Sequence, residues 1–98
     1  MKKNHLEPVH PGEVLLEEFL KPMKLSQNRL AMSLGVAARR INEIVLQKRG
    51  VTANTALRLA QYFGNSPHFW LGLQMEYDLD SARMSHGEQI AKEVRVMA

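Results

Sequence analysis

The sequence predicts an all-α fold of five helices, and three observations predict it. Apolar residues recur at three- and four-residue spacing along five stretches, and glycine and proline punctuate the chain between them. No stretch alternates with period two for long enough to make a convincing strand. The chain has 98 residues, 45% of them hydrophobic and 23% charged. That balance suits one modest globular domain with a single core.

Pro11 and Gly12 open the first helix, with proline at a position where its missing N–H costs nothing. Val14, Leu15, Leu16, Phe19 and Leu20 form its apolar face, Glu13, Glu17 and Lys21 fall on the polar side, and Pro22 marks its end. Ser26 caps a second helix, Gln27 to Leu34, which Gly35 stops. A third runs from Val36 to Leu46 with Val36, Ile41, Ile44 and Val45 as its apolar set. Lys48-Arg49-Gly50 is a loop, and Thr52 or Asn54 caps a fourth helix reaching Phe63 and burying some combination of Leu57, Leu59, Ala60 and Phe63. After the break at Gly64-Asn65, Ser66 caps and Pro67 begins a fifth helix to about Leu79, rich in Phe69, Trp70, Leu71, Leu73 and Met75. Residues 1–80 thus form the domain and 81–98 a short C-terminal tail. Ile90, Val94 and Met97 could line one side of a short helix there, with Ser85-His86-Gly87 as an interruption.

The stretch from about 26 to 46 carries more than periodicity. Two helices crossing at about 90–120° need a small residue at the closest approach, which Ala31 supplies. The turn between them favours a left-handed backbone, which Gly35 adopts without a Cβ penalty. Val36, Ile41 and Ile44 then anchor the second helix from below. This register is that of a helix-turn-helix. Charge agrees with it. From Lys24 to Arg58 there are seven basic residues and one acid, Glu43, giving +6 in a chain whose net charge is +3. Such a segment suits a polyanion, because neutralised phosphates release condensed counterions.

The free face of the third helix would show Ala38, Arg39, Asn42, Glu43 and Arg40. In a helix-turn-helix the N-terminal part of the second helix enters the major groove. There Arg can bridge guanine O6 and N7, Asn can bridge adenine N6 and N7, and Glu can accept from cytosine N4. Arg39 stands first among these candidates, then Arg40 and Glu43, with contact to phosphate alone as the competing role for either arginine. Ser26 and Gln27 at the start of the second helix, and Lys48 and Arg49 after the third, are candidate phosphate contacts. One small reading helix offers too few contacts for specific affinity, so a homodimer reading a palindrome is expected. Phe69, Trp70, Leu73 and Tyr77 are candidate dimer-seam residues, and burial of the whole set in one protomer is the alternative.

The chain resembles the XRE (Cro/cI-type) helix-turn-helix family and, more narrowly, HigA/VapI-type antitoxins. The resemblance rests on His10-Pro11-Gly12-Glu13, Leu34-Gly35-Val36, Arg40-Ile41-Asn42-Glu43-Ile44 and Thr55-Ala56-Leu57-Arg58-Leu59-Ala60. It continues through Ser66-Pro67-His68-Phe69-Trp70-Leu71-Gly72-Leu73-Gln74 and Tyr77-Asp78-Leu79. It implies a five-helix lambda-repressor-like domain in the bacterial cytoplasm, repressing its own operon as a homodimer on a palindromic operator in its promoter. It also implies a cognate HigB-type ribonuclease toxin that the antitoxin neutralises. At Ala37-Ala38 the chain departs from the family's common Ser followed by Pro or a polar residue. The third helix therefore lacks a side-chain cap and one potential base contact, and operator preference does not carry over.

Other classes find little support. Without cysteine there is neither a disulfide framework nor a thiolate zinc site. Met1–His5 begins no signal-type apolar run, and no stretch is long enough for a membrane span. His10, Glu13 and Glu17 could face together, yet one histidine and two carboxylates make a thin metal set. His5, His68 and His86 follow no ligand spacing. No phosphate-cradling glycine loop or activated nucleophile appears, so neither catalysis nor a cofactor is expected. Two non-enzymatic alternatives remain, a stand-alone XRE-family regulator without a toxin and a protein-interaction module with weak DNA binding.

Overall fold

A computed structural model of the chain describes residues 7–97. It contains five helices in succession and, among the described residues, no strand. The N-terminal residues Met1–His5 lie outside the described part. The first helix, α1, passes through Pro11–Val14, Leu15–Leu20 and Lys21–Met23 without a break, and its middle segment, Leu15–Leu20, is π-helical. There the Lys21 N–H donates to the Leu16 carbonyl, five residues back. This wider turn relieves the clash that the Pro22 ring would otherwise make with the preceding turn. The helix ends one residue later, where Lys24 turns left-handed at φ 53°.

The helix α2 is Gln27–Leu34, α3 Ala38–Val45, α4 Ala53–Phe63 and α5 Pro67–Glu93. The caps form where the side chains permit. Ser26 Oγ accepts from the Arg29 N–H at 3.0 Å, Thr52 Oγ1 from Thr55 at 3.4 Å, and Ser66 Oγ from His68 at 2.9 Å. Ala37, at the cap of α3, makes no side-chain bond. The third helix therefore starts at Ala38 rather than Val36, and Val36 is half-buried ahead of it.

Leu15, Leu20, Leu30, Ala31, Leu34, Ile41, Ile44, Val51, Ala56, Leu59, Ala60 and Trp70 form one core between the helices. Leu57, a candidate core residue of α4, instead points outward at 59% exposure. Trp70 lies at the centre, fully buried, and its indole Nε1 donates to Asn65 Oδ1 at 3.0 Å. Its ring lies 5.0 Å from Phe19 and 5.0 Å from Phe69. Trp70 therefore belongs to the protomer core, which for this residue favours the alternative kept open in the sequence reading.

The largest departure from the sequence reading is the length of α5. It spans 27 residues rather than ending near Leu79, and it crosses Ser85-His86-Gly87 without interruption. A helical glycine costs about 1 kcal/mol relative to alanine, which the neighbouring helix formers and side-chain pairs offset. Arg83 Nη1 reaches Asp80 Oδ1 at 3.0 Å, and Gln89 Nε2 donates to Glu93 Oε2 at 2.9 Å. The segment set apart as a tail from residue 81 is therefore helical as far as Glu93. No helix of the described residues is long and apolar enough to cross a membrane.

Candidate nucleic-acid interface

Contacts from three helices fix α2 and α3 as a rigid pair. Ala31 is buried at their crossing, and Gly35 adopts φ 73°, where any side chain would be strained. The Val36 N–H donates back to the Ala31 carbonyl at 3.0 Å, closing the end of α2. Another contribution comes from α4, where Arg58 Nη1 donates to the Leu34 carbonyl at 2.8 Å. Beneath the pair, α1 meets α3 at Gly12, where an added Cβ would overlap the carbonyl of Ile44. A glycine is required there to let the reading helix seat against the first.

Ile41 and Ile44 are fully buried, so α3 turns its opposite side outward. Arg39 projects furthest, its side chain 84% exposed, and its Nε donates to Glu43 Oε2 at 2.8 Å. The other Glu43 oxygen accepts from Arg49 Nε at 3.0 Å and lies 2.9 Å from Arg49 Nη2. This double engagement, led by the bond to Arg39, holds the Glu43 carboxyl below its ordinary pKa, and the same bond raises that of Arg39. Asn42 leans toward α2 and donates to Gln27 Oε1 at 2.7 Å. Arg40 lies on the other flank, its Nη1 3.1 Å from Asn54 Oδ1. Ala38, expected on the free face, is half-buried against the core.

The structure thus brings Ser26, Gln27, Asn42, Arg39, Glu43 and Arg49 onto one continuous surface across α2, α3 and the following loop. Lys48 is exposed beside them, after Gln47 turns left-handed at φ 64°. Two further residues escape a reading of the sequence. Asn54 accepts from both Arg40 and Arg58, the latter at 2.9 Å, and so spaces two guanidinium groups along one edge. Gln74 of α5 accepts from the Val51 N–H at 2.7 Å and anchors the loop that carries Lys48 and Arg49. The bonds that tie them to the reading surface, Arg40 to Asn54 and Val51 to Gln74, span 14 and 23 positions and leave no local sequence signal.

The sequence profile of the Helix-turn-helix family matches residues 16–71, which include all of this surface. Virulence-associated protein I of Dichelobacter nodosus is 55% identical over 80 residues, covering 82% of this chain and 74% of that protein. The chain belongs to the HigA/VapI-type branch of the XRE helix-turn-helix family. Antitoxin HigA-1 of Vibrio cholerae is 38% identical over 90 residues, 91% of this chain and 84% of its own length. Among solved structures, the Pseudomonas aeruginosa antitoxin HigA with the higBA promoter superposes at a TM-score of 0.91 and 42% identity. That match covers 94% of this chain and all of the other, so the HigA/VapI likeness includes α5 as well as the reading helix.

Among the described residues, no group of three or more His, Cys, Asp or Glu is placed to hold a metal ion. His10 is buried, and its Nδ1 accepts from the Gly12 N–H at 2.9 Å, so it serves as the cap of α1. Its ring meets Tyr77 edge-on at 4.7 Å, and burial pushes its pKa down against the opposing influence of Asp78 and Glu13.

Proposed function

We propose that the protein is a DNA-binding autorepressor and the antitoxin of a HigB-type mRNA-cleaving toxin, acting as a homodimer in the bacterial cytoplasm. It is a regulator and not an enzyme. The observation that carries the reading is the exposed Arg39 side chain on α3, flanked by Gln27 on α2 and Arg49 in the loop. This is the arrangement a helix needs to enter a major groove while its neighbours rest on phosphates. The full-length likeness to an antitoxin solved with its promoter supports the same reading.

In this reading Arg39 leads base recognition and Arg40 and Asn42 border it. Ser26, Gln27, Lys48 and Arg49 position the duplex through phosphates. The dimer seam lies on α5. Of the candidate seam residues, Phe69 is 40% exposed and Leu73 and Tyr77 are half-buried, while Met75, Leu79 and Ile90 add 55%, 42% and 49% exposed apolar surface. Helical spacing places Met75, Leu79 and Ile90 on one side of α5 and Phe69, Leu73 and Tyr77 on another, and the outer, more exposed set is the seam in this reading.

Fluorescence anisotropy against labelled DNA from the protein's own promoter tests the reading, with scrambled DNA and Arg39→Ala in parallel. Promoter-selective binding that Arg39→Ala weakens is the expected result. With about eight phosphate contacts per dimer, the log–log salt slope should lie near −7. Equal, weak binding to both duplexes would refute the operator reading. Co-expression with the product of the adjacent small reading frame tests the antitoxin role, through co-purification and relief of growth arrest.

A further inference from the structure

We propose that Glu43 is a positioning residue for guanine recognition, holding Arg39 by its Nε so that both terminal nitrogens face one guanine of the operator. The inference rests on the operator reading above and names the base that the surface selects.

A guanidinium has five N–H donors in a fixed fork. The Nε–H of Arg39 is taken by Glu43 Oε2 at 2.8 Å, which leaves Nη1 and Nη2 of this 84%-exposed side chain for another partner. These two nitrogens match the paired acceptors O6 and N7, which only guanine presents side by side in the major groove. Arg39 is 84% exposed and has this carboxylate as its hydrogen-bond partner, so without Glu43 a long side chain would have to be ordered by DNA itself. Immobilising one such side chain weakens binding by about two- to twelvefold.

The alternative role for Glu43, accepting from cytosine N4, conflicts with what its carboxylate already does. One oxygen is held by Arg39 from within the helix, and the other by Arg49 from the loop, at 2.9 and 3.0 Å. Reaching a base would release one or both arginines. The pairing to Arg49 has a consequence of its own. A single carboxylate ties the base-reading side chain to a phosphate-directed one, so the two cannot shift register independently.

Charge makes the proposal testable, because a carboxylate near DNA repels phosphates. Removing that repulsion alone would strengthen binding to every duplex. Loss of positioning instead weakens binding to the promoter while leaving scrambled DNA bound at least as well. Affinities of the wild type, Glu43→Gln, Arg39→Ala and the double variant are measured on promoter and scrambled duplexes. They are also measured on promoter duplexes carrying 7-deazaguanine, which lacks the N7 acceptor, at each guanine in turn. Glu43→Gln keeps only a neutral acceptor for the Arg39 Nε–H, so it should lower promoter affinity by part of that roughly two- to twelvefold ordering cost and add no further loss when Arg39 is already alanine. One guanine position should be sensitive to 7-deaza substitution in the wild type, less so in Glu43→Gln and not in Arg39→Ala. A Glu43→Gln loss that persists in the Arg39→Ala background would overturn the proposal in favour of direct contact. An equal gain on both duplexes would overturn it in favour of charge alone. A wild type that does not prefer its promoter would refute the operator reading itself, a result recognisable before any variant is compared.

Discussion

Gly12→Ala separates two reasons for a glycine, close approach and backbone freedom. Gly12 has no positive φ, so an alanine meets no intrinsic strain there, yet its Cβ would overlap the main-chain carbonyl of Ile44. A backbone oxygen cannot rotate away as a side chain could, so α1 and α3 must separate. Overpacking of a close contact costs about 1–3 kcal/mol, and the rigid partner argues for the upper end. For a domain of this size each 1 kcal/mol lowers Tm by about 4–8 °C, so Gly12→Ala should lose about 12–24 °C. Gly64→Ala is the comparison, since Gly64 sits at φ 75° with no atom within 4 Å of the place its Cβ would take. It should lose only the left-handed strain, about 1–2 kcal/mol. Thermal unfolding followed by circular dichroism ranks the two, and promoter affinity should fall further for Gly12→Ala because the displaced element is the reading helix. If Gly64→Ala is the more damaging, or Gly12→Ala melts within about 2 °C of wild type, the close-approach argument is wrong.

The remaining predictions concern pH, the loop and assembly. The His10 pKa is lowered by burial below its ordinary 6.5, so the unfolded chain binds the proton more readily. Stability should therefore be full above about pH 6.5 and decline as pH falls through the interval down to the folded-state value, at no more than about 1.4 kcal/mol per unit. Melting temperatures of wild type and His10→Asn between pH 7.5 and 5.5 check this, and parallel curves would refute it. Gln74→Ala leaves the Val51 N–H without its 2.7 Å partner and frees the Lys48–Arg49 loop. Promoter and scrambled affinities should then fall by a similar factor, whereas a selective loss on the promoter would contradict the loop's phosphate role. Leu79→Asp and Ile90→Asp place charge on exposed apolar positions of α5 and should yield monomers in sedimentation equilibrium while helicity is retained. Unchanged dimer mass in both would move the seam elsewhere.

Much of the fold is legible because it is encoded over short spans. Ser26, Gly35, Thr52, Gly64, Ser66 and Pro67 each act within a turn of their own position, and all six mark helix ends in the structure. The reading helix and its buried Ile41 and Ile44 follow from a single periodicity. What is illegible depends on distance in the chain or on summed small terms. Trp70 reads as surplus aromatic surface because Phe19, against which it packs, lies on α1, which only folding brings to it. The continuation of α5 past Gly87 is hidden because one glycine is a visible penalty. The offsetting pairs at Asp80 with Arg83 and Gln89 with Glu93 are individually worth only about 0.2–0.5 kcal/mol. His10 invites a metal role by its place beside Glu13 and Glu17, whereas its ring nitrogen caps the helix that begins at the next residue.

The illegible contacts share a chemical character that matters for function. Gln27 holds Asn42, Asn54 holds Arg40 and Arg58, and Gln74 holds Val51, so the reading surface is braced from α2, α4 and α5 by neutral amides. An amide oxygen fixes a guanidinium without cancelling its charge, whereas a carboxylate would remove the attraction that phosphates require. Arg40 and Arg58 are thereby oriented with their full charge available along one edge. The exception is Glu43, which neutralises one of two arginines at the centre of the surface. A protein selected only for affinity to DNA would gain by replacing that acid with an amide, since the geometry for a neutral acceptor is already present. Keeping a carboxylate there sacrifices general affinity for a tighter hold on Arg39, because a charge-assisted bond is about twice as strong as a neutral one. The arrangement makes sense where discriminating one DNA site from others matters more than binding DNA at all.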